Sequence, residues 1–89
     1  MRKVSYSTQF KKDFKLIIKR GFNVKALYIV MKKLERGEKL EQKYREHYLV
    51  GKYKGYLECH VGPDWLLIYK VYDDHLYFVR TGTHADLFR

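Results

Sequence analysis

The sequence has a single cysteine, Cys59, so no disulfide can form within the chain, which fits a reducing compartment. Long apolar runs are missing too. Runs such as Trp65 to Tyr69 fall far short of the roughly 20 residues that span a bilayer. No signal peptide is visible, because Met1-Arg2-Lys3 leads through Val4-Ser5-Tyr6 into a charged, helix-like stretch. These absences predict a cytoplasmic protein with no membrane partner. No repeat, low-complexity tract or linker divides the chain, and residues 1–89 read as one domain. Acidic residues are scarce: 10 Asp and Glu stand against 19 Lys and Arg, a net charge of +9. That excess favours an anionic partner through its field and through counterion release, and points to nucleic acid.

Hydrophobic residues make up 46% of the chain, enough for one modest core. Val4 and Tyr6 alternate with Lys3 and Ser5, which predicts a short first strand. Ser7 or Thr8 can cap a helix whose apolar face is Phe10, Phe14, Ile17 and Ile18. Lys19-Arg20-Gly21 ends it. Asn23 caps a second helix, with Val24, Leu27, Tyr28, Met31 and Leu34 at helical spacing and Gly37 as its stop. Residues 38–51 have no period and read as a loop. Alternation returns from Tyr53 to His60. Gly62-Pro63-Asp64 is a turn, Trp65 to Tyr72 a central strand, Asp73-Asp74 a second turn, and Leu76 to Thr81 a last strand. Residues His84 to Phe88 fit a terminal helical turn. The outline is β-α-α-β-β-β, an α+β fold with an antiparallel sheet and two N-terminal helices packed on one face. Where the first strand pairs is not readable from the pattern.

The meander has a geometric consequence. The end of strand 53–60, the start of strand 65–72 and the end of strand 76–81 meet at one edge of the sheet. That edge holds His60, Asp64, Trp65, Arg80 and His84. By parity, Leu76, Phe78 and Arg80 share one face. Imidazoles, a carboxylate and a guanidinium at one edge are the inventory for RNA strand scission. A base takes the proton of the ribose 2′-hydroxyl, an acid protonates the departing 5′-oxygen, and a fixed cation holds the phosphate. Histidine suits the proton steps and arginine the phosphate. Each residue alone also has a structural reading, such as a turn former for Asp64 after Pro63. Their convergence is what singles them out. No zinc-like spacing occurs, since Cys59 and His60 point to opposite faces of a strand, so no metal or cofactor is expected. His75 lies at the opposite end of the meander and reads as surface.

Four stretches carry a resemblance to a known family: Glu46-His47-Tyr48-Leu49; Lys54-Gly55-Tyr56 with Glu58-Cys59-His60; Pro63-Asp64-Trp65-Leu66-Leu67-Ile68-Tyr69; and Arg80-Thr81-Gly82-Thr83-His84 with Leu87-Phe88. Together they resemble the YafQ branch of the RelE/ParE toxin superfamily. The resemblance implies a RelE-like fold and a ribosome-dependent mRNA endonuclease. Such a protein is the toxin of a type II toxin–antitoxin pair, held inactive by an acidic antitoxin of the DinJ/RelB kind. By position, the family's active-site residues fall on His47, His60, Asp64, Arg80, His84 and Phe88. His84 and Asp64 are then the leading proton-transfer candidates, with His60 and His47 assisting. Arg80 holds the phosphate, and Phe88 packs against a base or ribose or positions the carboxy-terminal turn. Trp65 suits the core. Leu57 stands where relatives commonly carry a basic residue, and Lys52 or Lys54 can substitute for that cation. Tyr48 replaces a usual proline, which loosens the loop that places His47, and Arg89 only extends the end. The competing readings are a gyrase-poisoning binder of the same superfamily, or a basic protein that coats RNA without cutting it.

Overall fold

In a computed structural model that describes residues 1–88, the elements run β1 (Lys3–Tyr6), α1 (Thr8–Lys19), α2 (Val24–Glu35), β2 (His47–Tyr48), β3 (Leu57–Gly62), β4 (Trp65–Tyr72), β5 (His75–Gly82) and α3 (His84–Phe88). Arg89 lies outside the described residues. The five strands form one mixed sheet in the order β1-β5-β4-β3-β2. The meander is as the pattern predicts, with β4 antiparallel to both β3 and β5. Strand β1, whose partner the pattern left open, lies parallel to β5, with Val4 opposite Leu76 and Tyr6 opposite Phe78.

Both helices form where the apolar periodicity places them. The α1 N-cap is Ser7, whose Oγ accepts the Phe10 N–H at 2.8 Å. The same hydroxyl donates to the Val79 carbonyl at 2.6 Å, tying the helix start to β5. A cap of this kind contributes about 1 kcal/mol. Asn23 occupies the α2 cap position without making a side-chain capping bond. Phe10 and Ile17 of α1 and Leu27, Val30 and Leu34 of α2 are buried against Leu67, Tyr69, Leu76 and Phe78. The opposite face of the sheet carries a smaller cluster, Leu66 and Ile68 under Leu87 of α3, with Tyr53, Tyr56 and Val79 around it. Trp65 belongs to the main core, stacked edge-on with Phe22 and donating its indole N–H to Thr81 Oγ1 at 2.9 Å.

Two expectations are corrected. The strand expected from Tyr53 begins only at Leu57 and runs on to Gly62. Gly51 and Gly55 both adopt positive φ, 71° and 91°, so the chain turns twice before it can extend, and Gly51–Tyr53 is a 3-10 turn. The stretch 38–51, expected to be a loop throughout, holds a 3-10 turn at Gln42–Tyr44 and the short strand β2, which pairs His47 with Glu58 and Tyr48 with Leu57. Two residues are too few for a period-2 signal to show.

A third correction matters for function. Arg80 does not continue the face of Leu76 and Phe78. Phe78 stands opposite Tyr69, but Arg80 stands opposite Ile68, so Val79 is an extra residue in a β-bulge. Residues directly opposite one another share a face. Arg80 therefore leaves the face of Leu76 and Phe78 for that of Leu66 and Ile68. His60 stands opposite Leu66 and Glu58 opposite Ile68, so these three side chains share one side of the sheet.

Candidate active site

Three imidazoles form a row on that side. The ring centroids of His47 and His60 are 6.4 Å apart, those of His60 and His84 6.1 Å, and Phe88 follows 6.4 Å beyond His84. His47 comes from β2, His60 from β3, and His84 from the first turn of α3, so three separate segments build the row.

His84 is the most firmly placed. Thr83 caps α3: its Oγ1 accepts the Asp86 N–H at 3.2 Å, and its own N–H donates to Asp86 Oδ2 at 2.9 Å. Arg20, the C-cap of α1, then clamps Asp86 with Nη1 at 2.7 Å from Oδ2. That bond and the Thr83 N–H hold the Asp86 carboxyl down at about 2. A Cβ on Gly82 would sit 2.9 Å from Asp86 Oδ2, so only glycine admits the approach. The result sets His84 over the β3–β4 turn. Its Nδ1 donates to Asp64 Oδ1 at 2.7 Å, and its backbone N–H donates to the same oxygen at 3.0 Å. These two bonds lower the Asp64 carboxyl below the usual carboxylate range. With Nδ1 committed to Asp64, Nε2 is the nitrogen left to exchange a proton.

His60 is half-buried, with Nε2 3.9 Å from Glu58 Oε1. Burial lowers it from the ordinary imidazole value, and the Arg45 guanidinium adds to the effect. His47 Nδ1 lies 2.9 Å from the Arg45 carbonyl, and its Nε2 lies 3.3 Å from the same Glu58 oxygen. Its strand segment is anchored by Glu46, which accepts the hydroxyl of buried Tyr69.

Arg80 Nε donates to Asp13 Oδ2 at 2.8 Å, and Nη2 donates to Oδ1 at 3.2 Å. This fork raises the already high Arg80 value. Asp13 also accepts the Thr81 N–H at 3.2 Å, next to the bulge. Nη1 takes no part in the fork, and the Tyr53 hydroxyl is a further neighbour of the guanidinium. Lys52 lies in the 3-10 turn with its ammonium 5.7 Å from the centre of the Tyr53 ring, and Tyr53 packs edge-on against Phe88 at 6.0 Å. Lys54 is exposed at the end of that turn. Leu57 packs against the main core on the helix side. Cys59 is fully buried, and burial pushes its thiol up to about 12, so it is protonated at neutral pH.

Two residues escaped the sequence reading. Asp13 carried a signal: it falls on the apolar stripe of α1, three residues after Phe10 and four before Ile17, and is buried there. Glu58 shares strand parity with His60, which places both on one face. Among the described residues, no three His, Cys, Asp or Glu side chains are grouped as metal ligands, and no helix is long and apolar enough to cross a membrane.

A mixed sheet with two helices on one face and basic and imidazole groups on the other is the α+β architecture of the RelE-like toxins. The chain matches, over residues 2–89, the family described as the bacterial toxin of type II toxin–antitoxin system, YafQ, and it belongs to that family. The mRNA interferase toxin YafQ of Escherichia coli K12 is 46% identical over 88 residues, covering 98% of this chain and 96% of that one. The crystal structure of YafQ from E. coli BL21(DE3) is 44% identical with a TM-score of 0.96 over all of both chains. A structure of the E. coli DinJ–YafQ toxin–antitoxin complex contains a chain 46% identical, TM-score 0.91, covering 99% of this chain and 98% of that one.

Proposed function

We propose that this toxin cuts mRNA on the ribosome, in the cytoplasm, by attack of a ribose 2′-oxygen on the adjacent phosphate. The observation that carries the proposal is the His84–Asp64 bond of 2.7 Å, set in a row of imidazoles on the face to which the bulge delivers Arg80. Relatives named mRNA interferases support the reaction class. His60, kept below its ordinary value by burial, is neutral at pH 7 and suits the base that takes the 2′-hydroxyl proton. The 2′-oxygen bonds to phosphorus as the bond to the 5′-oxygen breaks. His84, oriented by Asp64, gives that leaving oxygen its proton from Nε2. Arg80 Nη1 stabilises the charge that builds on the phosphate. Phe88, half-exposed at the end of the row, offers a ring to an unstacked base. Lys52, Lys54 and the other lysines hold the RNA backbone without reading sequence. The charge roles are filled by side chains, so the cut proceeds with no divalent ion at the site.

The test uses an mRNA with a 2′-methoxy group at the cut site, presented on ribosomes. Cleavage of that substrate should be undetectable. The unmodified message should yield a 5′-hydroxyl and a 2′,3′-cyclic or 3′-phosphate. Normal cutting of the methoxy substrate removes the 2′-oxygen from the mechanism.

The toxin's partner is proposed to be an acidic antitoxin segment that folds as it binds, in keeping with the DinJ–YafQ complex. The charge of +9 supplies steering and part of the affinity. Ile18, Tyr28 and Ile29, exposed on the helix pair, supply an apolar part that salt does not screen. The dissociation constant should therefore rise between low and high salt without binding being lost. An affinity independent of salt eliminates the electrostatic component.

A further inference from the structure

Glu58 is buried beneath the row of imidazoles, on the same face as His60. One of its oxygens, Oε1, is 3.3 Å from His47 Nε2 and 3.9 Å from His60 Nε2. The other, Oε2, is buried with no hydrogen-bond partner. A buried carboxylate is costly unless a charge offsets it. His47 is the group placed to do so. Its Nδ1 faces the Arg45 carbonyl at 2.9 Å, and a carbonyl only accepts, so Nδ1 carries a hydrogen. Its Nε2 faces a carboxylate, which also only accepts when ionised. A neutral His47 would present a lone pair to that oxygen, whereas an imidazolium satisfies both neighbours.

Arg45 also holds a left-handed backbone conformation, φ 51° and ψ 47°, which a non-glycine residue adopts at a cost. That conformation belongs to the residue whose carbonyl meets His47. The other charged groups around the couple are few. Arg45, His47 and His84 disfavour protonation of His60, and Glu58 opposes them. Strand β4 presents Ile68 opposite Glu58, and Lys70 of β4 places its ammonium 5.2 Å from the centre of the Tyr56 ring.

We propose that Glu58 is a positioning residue that fixes His47 and His60 from beneath and holds His47 as an imidazolium. This rests on the reading of the face as a nuclease site. The row then meets the substrate with a charged imidazole beside a neutral one. His47 contributes a second fixed cation next to Arg80, and His60 remains free to act as base.

The test is Glu58→Gln, close to isosteric, in the full chain. In imidazole NMR of the free toxin, the His60 titration midpoint should fall by about one pH unit, because an opposite charge within ~4–6 Å is removed. His75, at the far end of the sheet, should titrate as before. On ribosomes, kcat at pH 7 should fall by up to about tenfold, the ceiling set by one unit of lost basicity, with KM unchanged, and Glu58→Asp should recover part of it. A His60 midpoint that stays put, or a loss confined to KM, overturns the proposal. Wild-type protein gives a second measurement that does not depend on the variant folding. At neutral pH both ring nitrogens of His47 should carry protons. A bare Nε2, or a protonated Glu58 beside a neutral His47, overturns the assignment. These titrations need no RNA cleavage, so they can fail or succeed independently of the nuclease reading.

Discussion

His84→Ala should cut single-turnover cleavage of ribosome-bound mRNA by at least ~100-fold, the lower range for a positioned general acid or base. The expectation follows from how much of the molecule is committed to this one ring. Thr83 and Asp86 cap its helix, Arg20 clamps the cap, and Asp64 takes both Nδ1 and the backbone N–H. None of those bonds depends on Nε2, so truncation removes the proton carrier and leaves its support standing. Asp64→Asn keeps the size of the acceptor but loses its charge, and should reduce the rate by less than His84→Ala does. Ribosome binding should survive both changes, since it rests on dispersed lysines. His75→Ala is the control: His75 bonds Ser5 at 2.8 Å and stacks on Tyr72 at the far end of the sheet, and its loss should leave the rate near wild type. A folded His84→Ala toxin with full rate would remove His84 from the chemistry.

The helices, the meander and the meeting of His60, Asp64 and His84 at one edge were legible because each rests on a local rule. Apolar spacing sets the helix faces, turn residues set the hairpins, and antiparallel order then fixes which strand ends meet. What was not legible depends on a single extra residue or on contacts far apart in sequence. Parity counts along β5 assume an unbroken ladder. The bulge at Val79 inverts the count for Arg80, and its carbonyl is answered by Ser7, more than seventy residues earlier. The parallel pairing of β1 with β5 likewise joins the two ends of the chain. Asp13 and Arg80 are separated by 67 positions, so the place of Asp13 on the apolar stripe of α1 does not by itself name the arginine it holds. Glu58 was visible as a strand neighbour of His60, but its role depends on β2, whose two residues are too short to announce themselves.

Arg80→Ala should lower the cleavage rate by about 10²–10³, the loss seen when one preorganised charge stabiliser is removed, and manganese should not restore it. Recovery with manganese would show that a metal ion can occupy the role, and the metal-free mechanism would be wrong. This variant also carries a stability cost that must be separated from the chemistry. Its side chain is 20% exposed and that of Asp13 7%, so the pair is largely buried. Removing one partner of a buried pair costs about 3–5 kcal/mol. The loss here should fall below that range, because Asp13 keeps the Thr81 N–H and the Gln9 amide as donors. Arg80→Lys retains a charge but not the fork that serves Asp13 with Nε and Nη2 while leaving Nη1 for the phosphate, so it should fall between wild type and alanine. The decisive comparison is a double-mutant cycle with Asp13→Asn. Asp13 touches no substrate in this scheme and acts only by aiming the guanidinium. Asp13→Asn alone should therefore slow cleavage, and in the Arg80→Ala background it should slow it no further. If the two losses multiply, Asp13 acts on the reaction by some other route, and the bulge is not there to aim Arg80.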